Sequence, residues 1–157
     1  FEKMHVGISV DHYGIKNEYL RHPVNQTVFE NNLHTVVESG KVQYKLNATV
    51  SILNIEDLFD IQKYYLDKFN TDISFHNVVR GPSILSVRNL PEEMKDRYIK
   101  KYENHFPFVT AELRRSIDEK ERWKDTLIYL DRMYLYKGLD WRPLWQDLID
   151  EVESYMR

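Results

Sequence analysis

The sequence predicts an α/β fold in which three strand–helix units are followed by a helical C-terminal region. Three observations predict it. Two segments, 5–11 and 44–52, alternate apolar and polar residues with the two-residue period of a strand. Each is followed by a stretch whose apolar residues recur at helical spacing. Beyond residue 91 only the helical spacing remains. Strands alternating with helices imply right-handed crossovers and parallel pairing.

In the first strand, Val6, Ile8 and Val10 share one face, with Ser9 and Asp11 on the other. A loop is expected through Tyr13, Gly14 and Arg21 to Pro23. Asn25 then suits the N-cap of a helix carrying Val28, Phe29, Leu33, Val36 and Val37, and Gly40 suits its end. The second strand is the cleanest. Tyr44, Leu46, Ala48, Val50 and Ile52 face one way, and Lys45, Asn47, Thr49 and Ser51 the other. Asn54 is placed to cap the next helix. Its expected buried stripe is Ile55, Leu58, Phe59, Gln62, Tyr65, Leu66 and Phe69. A third strand is expected over 73–79, with Ser74 and His76 on its polar side.

A turn at Gly81-Pro82 and an irregular stretch lead to Asn89 and Pro91, where a helix should begin. Further helices are expected over about 111–116, 121–136 and 143–155. The expected domains are 1–90, carrying the strands, and 91–157, a helical extension. The polar strand faces fit two arrangements equally: the wall of a closed or partly closed βα barrel around a ligand, or a sheet with one solvated face.

The chain of 157 residues is 42% hydrophobic, enough for a core. With 22 Lys+Arg against 25 Asp+Glu the net charge is −3, so general nucleic-acid binding is not expected. No apolar run is long enough for a membrane span, and no signal segment opens the chain. This points to a cytoplasmic or phage-encoded protein. The Asn-x-Thr triplets at Asn25 and Asn47 read as chance. There is no cysteine, so this chain alone holds no disulfide, no thiolate nucleophile and no Cys-ligated zinc or cluster. The six histidines show no His-x-x-x-His pair on one helix, so a zinc site is not expected. Tyr129, Tyr134, Tyr136, Trp141 and Trp145 read as core aromatics. The mixed charge run 114–122 reads as a solvated helix face.

Several segments, in order, carry a resemblance. VGISVDHYG at 6–14 has the apolar-Ser-apolar-Asp pattern followed by a glycine loop. NEYLR at 17–21 matches a Tyr-Ile-Arg segment. FENNL at 29–33 matches a Val-x-x-Asn-Ile helix. NATVS at 47–51 is followed by Asn54, LSVRNLP spans 85–91, and LDR spans 130–132. Together they resemble strands four to six and the following region of radical S-adenosylmethionine (SAM) enzymes, in the branch with a SPASM or shortened twitch C-terminus. The resemblance implies the C-terminal half of a partial (βα)6 barrel. The family's Cys-x-x-x-Cys-x-x-Cys, its Gly-Gly-Glu stretch and its auxiliary-cluster cysteines are missing from this sequence. A chain opening at Phe1 is therefore expected to be a fragment, inactive alone, whose missing N-terminal half-barrel holds the [4Fe–4S] cluster.

In the family one electron from the cluster cleaves SAM, and a 5′-deoxyadenosyl radical abstracts hydrogen from a peptide or small-molecule substrate. By resemblance, Ser9 would bond the ribose or carboxylate of SAM. Asp11 would accept from a ribose hydroxyl, and Arg21 would fork onto the SAM carboxylate. Asn47 would bond adenine or ribose, and His76 would touch adenine or substrate. Each has a plainer structural reading, which for His76 is a satisfied core histidine. The competing expectation is a non-catalytic α/β interaction module, or a degenerate radical SAM remnant, that associates with a partner or with itself through the first strand's edge.

Overall fold

The computed structural model describes residues 4–115 and 122–155. The fold is α/β, with three parallel strands in one sheet, ordered β1 (Met4–Ser9), β2 (Val42–Val50), β3 (Ile73–Val78). The chain forms two compact units. One holds residues up to Thr49 together with Asp57–His76. The other holds Val50–Glu56 together with residues from Asn77 onward.

In the first unit β2 is the central strand. It pairs with β1 in unbroken register from Met4 opposite Val42 to Ser9 opposite Asn47. The alternation predicted for β2 sets its faces: Leu46 and Ala48 are fully buried, while Gln43 and Lys45 are exposed. In β3, Ile73 and Phe75 are buried on the same principle. Helix α2 (Gln26–Ser39) follows its signals. Asn25 Oδ1 accepts from Val28 N at 3.0 Å, and Gly40, at φ 59°, closes the helix in the left-handed region.

Two expectations for this unit are corrected. The loop expected over 13–23 contains a helix, α1 (Gly14–Leu20), anchored by buried Asn17 and Tyr19. The stripe of α3 (Leu58–Phe69) is Leu58, Ile61, Tyr65 and Phe69, while Leu66 is 49% exposed. A 3-10 turn at Ile55–Asp57 precedes this helix. Its tighter winding breaks the helical phase counted from Ile55.

In the second unit Asn54 does not cap a helix. Its side-chain oxygen accepts from Ser51 N at 2.8 Å and closes a turn. After 3-10 turns at Ser83–Leu85 and Val87–Asn89 come α4 (Glu92–Tyr102), α5 (Pro107–Leu113), α6 (Arg122–Lys137) and α7 (Arg142–Tyr155). Glu92 and Glu93 open α4 and Lys100 and Lys101 close it, matching the helix dipole. The helix expected over 111–116 begins earlier because Pro107, with its fixed φ, suits a first turn.

Buried polar tips hold this unit to its own backbone. Trp145 Nε1–H donates to Leu53 O at 2.5 Å, and the Tyr102 hydroxyl donates to Ile55 O at 2.6 Å. Trp141 and Trp145 are core residues, as expected. Tyr134 and Tyr136 are not: they are 39% and 77% exposed, beside Leu135 at 82%. Residues 116–121 of the charge run lie outside the described residues. Among the described residues no helix is long and apolar enough to cross a membrane.

Candidate functional site

The first unit carries a polar sheet face and a charged cluster where β1 ends. Pairing in register puts Ser9 beside Asn47 and Gly7 beside Lys45 on that face. Ser9 is exposed and Asn47 half-buried. Asn47 Nδ2–H donates to Lys45 O at 3.3 Å, and a Cβ on Gly7 would lie 3.5 Å from the same nitrogen. The amide therefore leans over the gap that glycine leaves. On β3, Ser74 Oγ and His76 Nδ1 are hydrogen-bonded at 2.5 Å. His76 is exposed, so the core-histidine reading is corrected. Phe75, one residue earlier, takes the buried side of the pleat.

Asp11 and Arg21 meet each other. Arg21 Nη2–H donates to Asp11 Oδ1 at 3.1 Å, and Arg21 Nε lies 2.7 Å from Oδ2. Asp11 Oδ1 also accepts from Thr49 N at 2.7 Å. The pair thus ties the exit of β1 to the end of β2. The fork that the resemblance assigns to a SAM carboxylate is engaged by a carboxylate of this chain.

Beside it lies a cluster that sequence reasoning missed. Asn17 Oδ1 accepts from Asp11 N and His12 N, at 3.1 and 3.2 Å, fixing the turn after β1. His12 is 2% exposed. Tyr13 N–H donates to its Nδ1 at 2.8 Å. An ionised carboxylate only accepts, so Nε2–H donates to Asp57 Oδ2 at 2.9 Å, while Nδ1 also lies 3.2 Å from Tyr13 O. Lys16 Nζ reaches the same oxygen at 2.6 Å. Burial raises the Asp57 pKa, but the bonds from His12 and Lys16 outweigh it and hold the carboxyl down at about 2. The Tyr65 hydroxyl donates to His12 O at 2.8 Å, and burial pushes its pKa up. The signal in the sequence was three polar residues, His12, Lys16 and Asn17, crowded behind a strand. The acceptor shared by His12 and Lys16, Asp57, is 45 positions from His12.

The sheet face suits a ligand of the SAM kind in part. Ser9 and Asn47 offer a hydroxyl and an amide side by side across the β1–β2 pair, and the exposed His76 offers an imidazole on β3 of the same sheet. With Arg21 engaged by Asp11, no guanidinium of this unit is offered to a ligand carboxylate there. The chain has no cysteine for a cluster, and among the described residues no group of three or more His, Asp or Glu is placed to hold a metal ion. Comparison of the chain with protein-family models, with curated proteins and with solved structures finds no match.

Proposed function

We propose that this chain is the C-terminal part of a radical SAM enzyme and that the polar face of its sheet is the SAM-facing wall of the barrel. One observation carries the reading. A parallel sheet presents an apolar, buried face and a polar, accessible one, and Ser9 and Asn47 stand side by side at the carboxyl end of β1 on the accessible face. Carboxyl ends of parallel strands are where βα folds place their ligands. The order of the family-like segments along the chain adds support.

In this reading Ser9 and Asn47 bond the ribose, and His76, oriented by Ser74, meets adenine or substrate. Asp11 and Arg21 act through each other, as positioning residues that fix the loop after Ser9. With SAM and a [4Fe–4S] cluster held by cysteines elsewhere in the protein, the chemistry supplied is a 5′-deoxyadenosyl radical acting on a peptide or small molecule. The same reading puts the enzyme in the cytoplasm.

The native gene product, isolated without oxygen and given SAM and dithionite, is expected to release 5′-deoxyadenosine. Replacing Ser9 and Asn47 together by Ala should raise KM for SAM about 10-fold, the worth of one or two hydrogen bonds, without moving the unfolding midpoint. No 5′-deoxyadenosine from the unsubstituted protein would overturn the proposal.

A further inference from the structure

A chain of side-chain hydrogen bonds runs from the turn after β1 to helix α2, and each link has a forced sense. Asn17 is 1% exposed, and its Oδ1 accepts from Asp11 N and His12 N. Backbone N–H groups only donate, so the oxygen of this amide faces the turn and its nitrogen faces away. Asn17 Nδ2–H donates to Gln26 Oε1 at 2.8 Å. Gln26, itself buried, turns its own Nε2–H to Glu30 Oε1 at 2.7 Å. An ionised carboxylate only accepts. Glu30 therefore fixes which end of the Gln26 amide points where, and Gln26 fixes Asn17 in turn.

Glu30 is held as the anion that this role needs. Lys68 and the Tyr64 hydroxyl both donate to it. Burial pushes its pKa up, but the bonds from Gln26, Lys68 and Tyr64 outweigh burial and bring it below the ordinary value.

The far end of the chain meets the candidate ligand wall. Asn17 holds the backbone of Asp11 and His12, and from there the Asp11 carboxylate accepts from Thr49 N at 2.7 Å. One residue earlier, Val10 N–H donates to Asn47 O at 2.9 Å. These bonds bracket Ser9 and Asn47, which stand opposite each other across the β1–β2 pair.

We infer that Asn17 and Glu30 are positioning residues for the SAM-facing wall. Glu30 sets the sense of the amide chain, and Asn17 sets the turn that holds Ser9 against Asn47. The ligand in this inference rests on the proposed function, whereas the hydrogen-bond chain does not.

The test reverses one link at a time in the native gene product. Asn17→Asp keeps an acceptor for the turn but sets an oxygen against Gln26 Oε1, which is not free to turn while Glu30 holds Nε2. It should raise KM for SAM about 10-fold and leave kcat within about 2-fold. Adding Glu30→Gln supplies a donor there, lets Gln26 reverse, and should bring KM back to within about 3-fold of the unsubstituted protein. Glu30→Gln alone should change KM by less than about 3-fold, because its amide oxygen still accepts from Gln26. A KM unmoved by Asn17→Asp, or raised and not relieved by Glu30→Gln, overturns the inference. Amide hydrogen exchange at Asp11 and His12 in the unsubstituted protein needs no variant to fold. Both amides should exchange on the order of 100-fold slower than in an unstructured peptide, and peptide-like exchange overturns the inference as well. A native product that releases no 5′-deoxyadenosine overturns the proposed function instead. Slow exchange at both amides, with a fall in the urea midpoint of Asn17→Asp that Glu30→Gln relieves, would then support the positioning of the turn while removing SAM as its ligand.

Discussion

Leu46→Ala is expected to lower the unfolding free energy by about 2–5 kcal/mol, and Asn47→Ala, one residue on, by less than about 1 kcal/mol. Leu46 is fully buried in the central strand, so truncation removes apolar contacts and leaves a cavity. Asn47 lies on the accessible face, and its side-chain bond to Lys45 O is long and readily replaced by water. Urea denaturation of the two variants checks this. A larger loss at Asn47 than at Leu46 would mean that the sheet faces are reversed, and the candidate ligand wall with them.

The faces of β2 were legible because strand alternation is local: a period of two read over nine residues leaves one consistent choice. The ends of α2 were legible for the same reason, since Asn25 and Gly40 act within one turn of the helix they bound. Where the reading failed, something non-local or short intervened. α1 is only seven residues long, and its buried Asn17 bonds to Asp11 N, His12 N and Gln26 rather than extending an apolar stripe. The stripe of α3 was misphased by a three-residue 3-10 turn that leaves no mark in the apolar pattern. At the site, Ser9, Asn47 and His76 were found as strand positions. The pairing of Asp11 with Arg21 and the joining of His12 to Asp57 depend on how loops fold back, which periodicity does not encode.

Asp57→Asn is expected to cost about 2 kcal/mol at neutral pH, because His12 Nε2–H and Lys16 lose the charge they both bond. The pH dependence has a definite sign. The Asp57 carboxyl titrates at about 2 in the folded chain against an ordinary value of 3.8. The folded state therefore favours the carboxylate. Its contribution is fully present above pH 3.8 and is lost as pH falls through about 2. The difference of roughly two pKa units corresponds to about 2–3 kcal/mol. The stability gap between the unsubstituted protein and Asp57→Asn, followed by chemical denaturation from pH 7 downward, should hold steady to about pH 4 and then close. A gap unchanged down to pH 2 would mean that His12 and Lys16 do not hold that carboxylate in the folded state.

The most direct measurement is iron and labile sulfide per chain, taken with intact mass on the native gene product purified without oxygen. A radical SAM enzyme would carry about four irons and four sulfides, on a chain whose cysteines lie outside these 157 residues. Ser9 and Asn47 would then be the first positions to substitute. A native product with no iron and no cysteine would contradict the catalytic proposal.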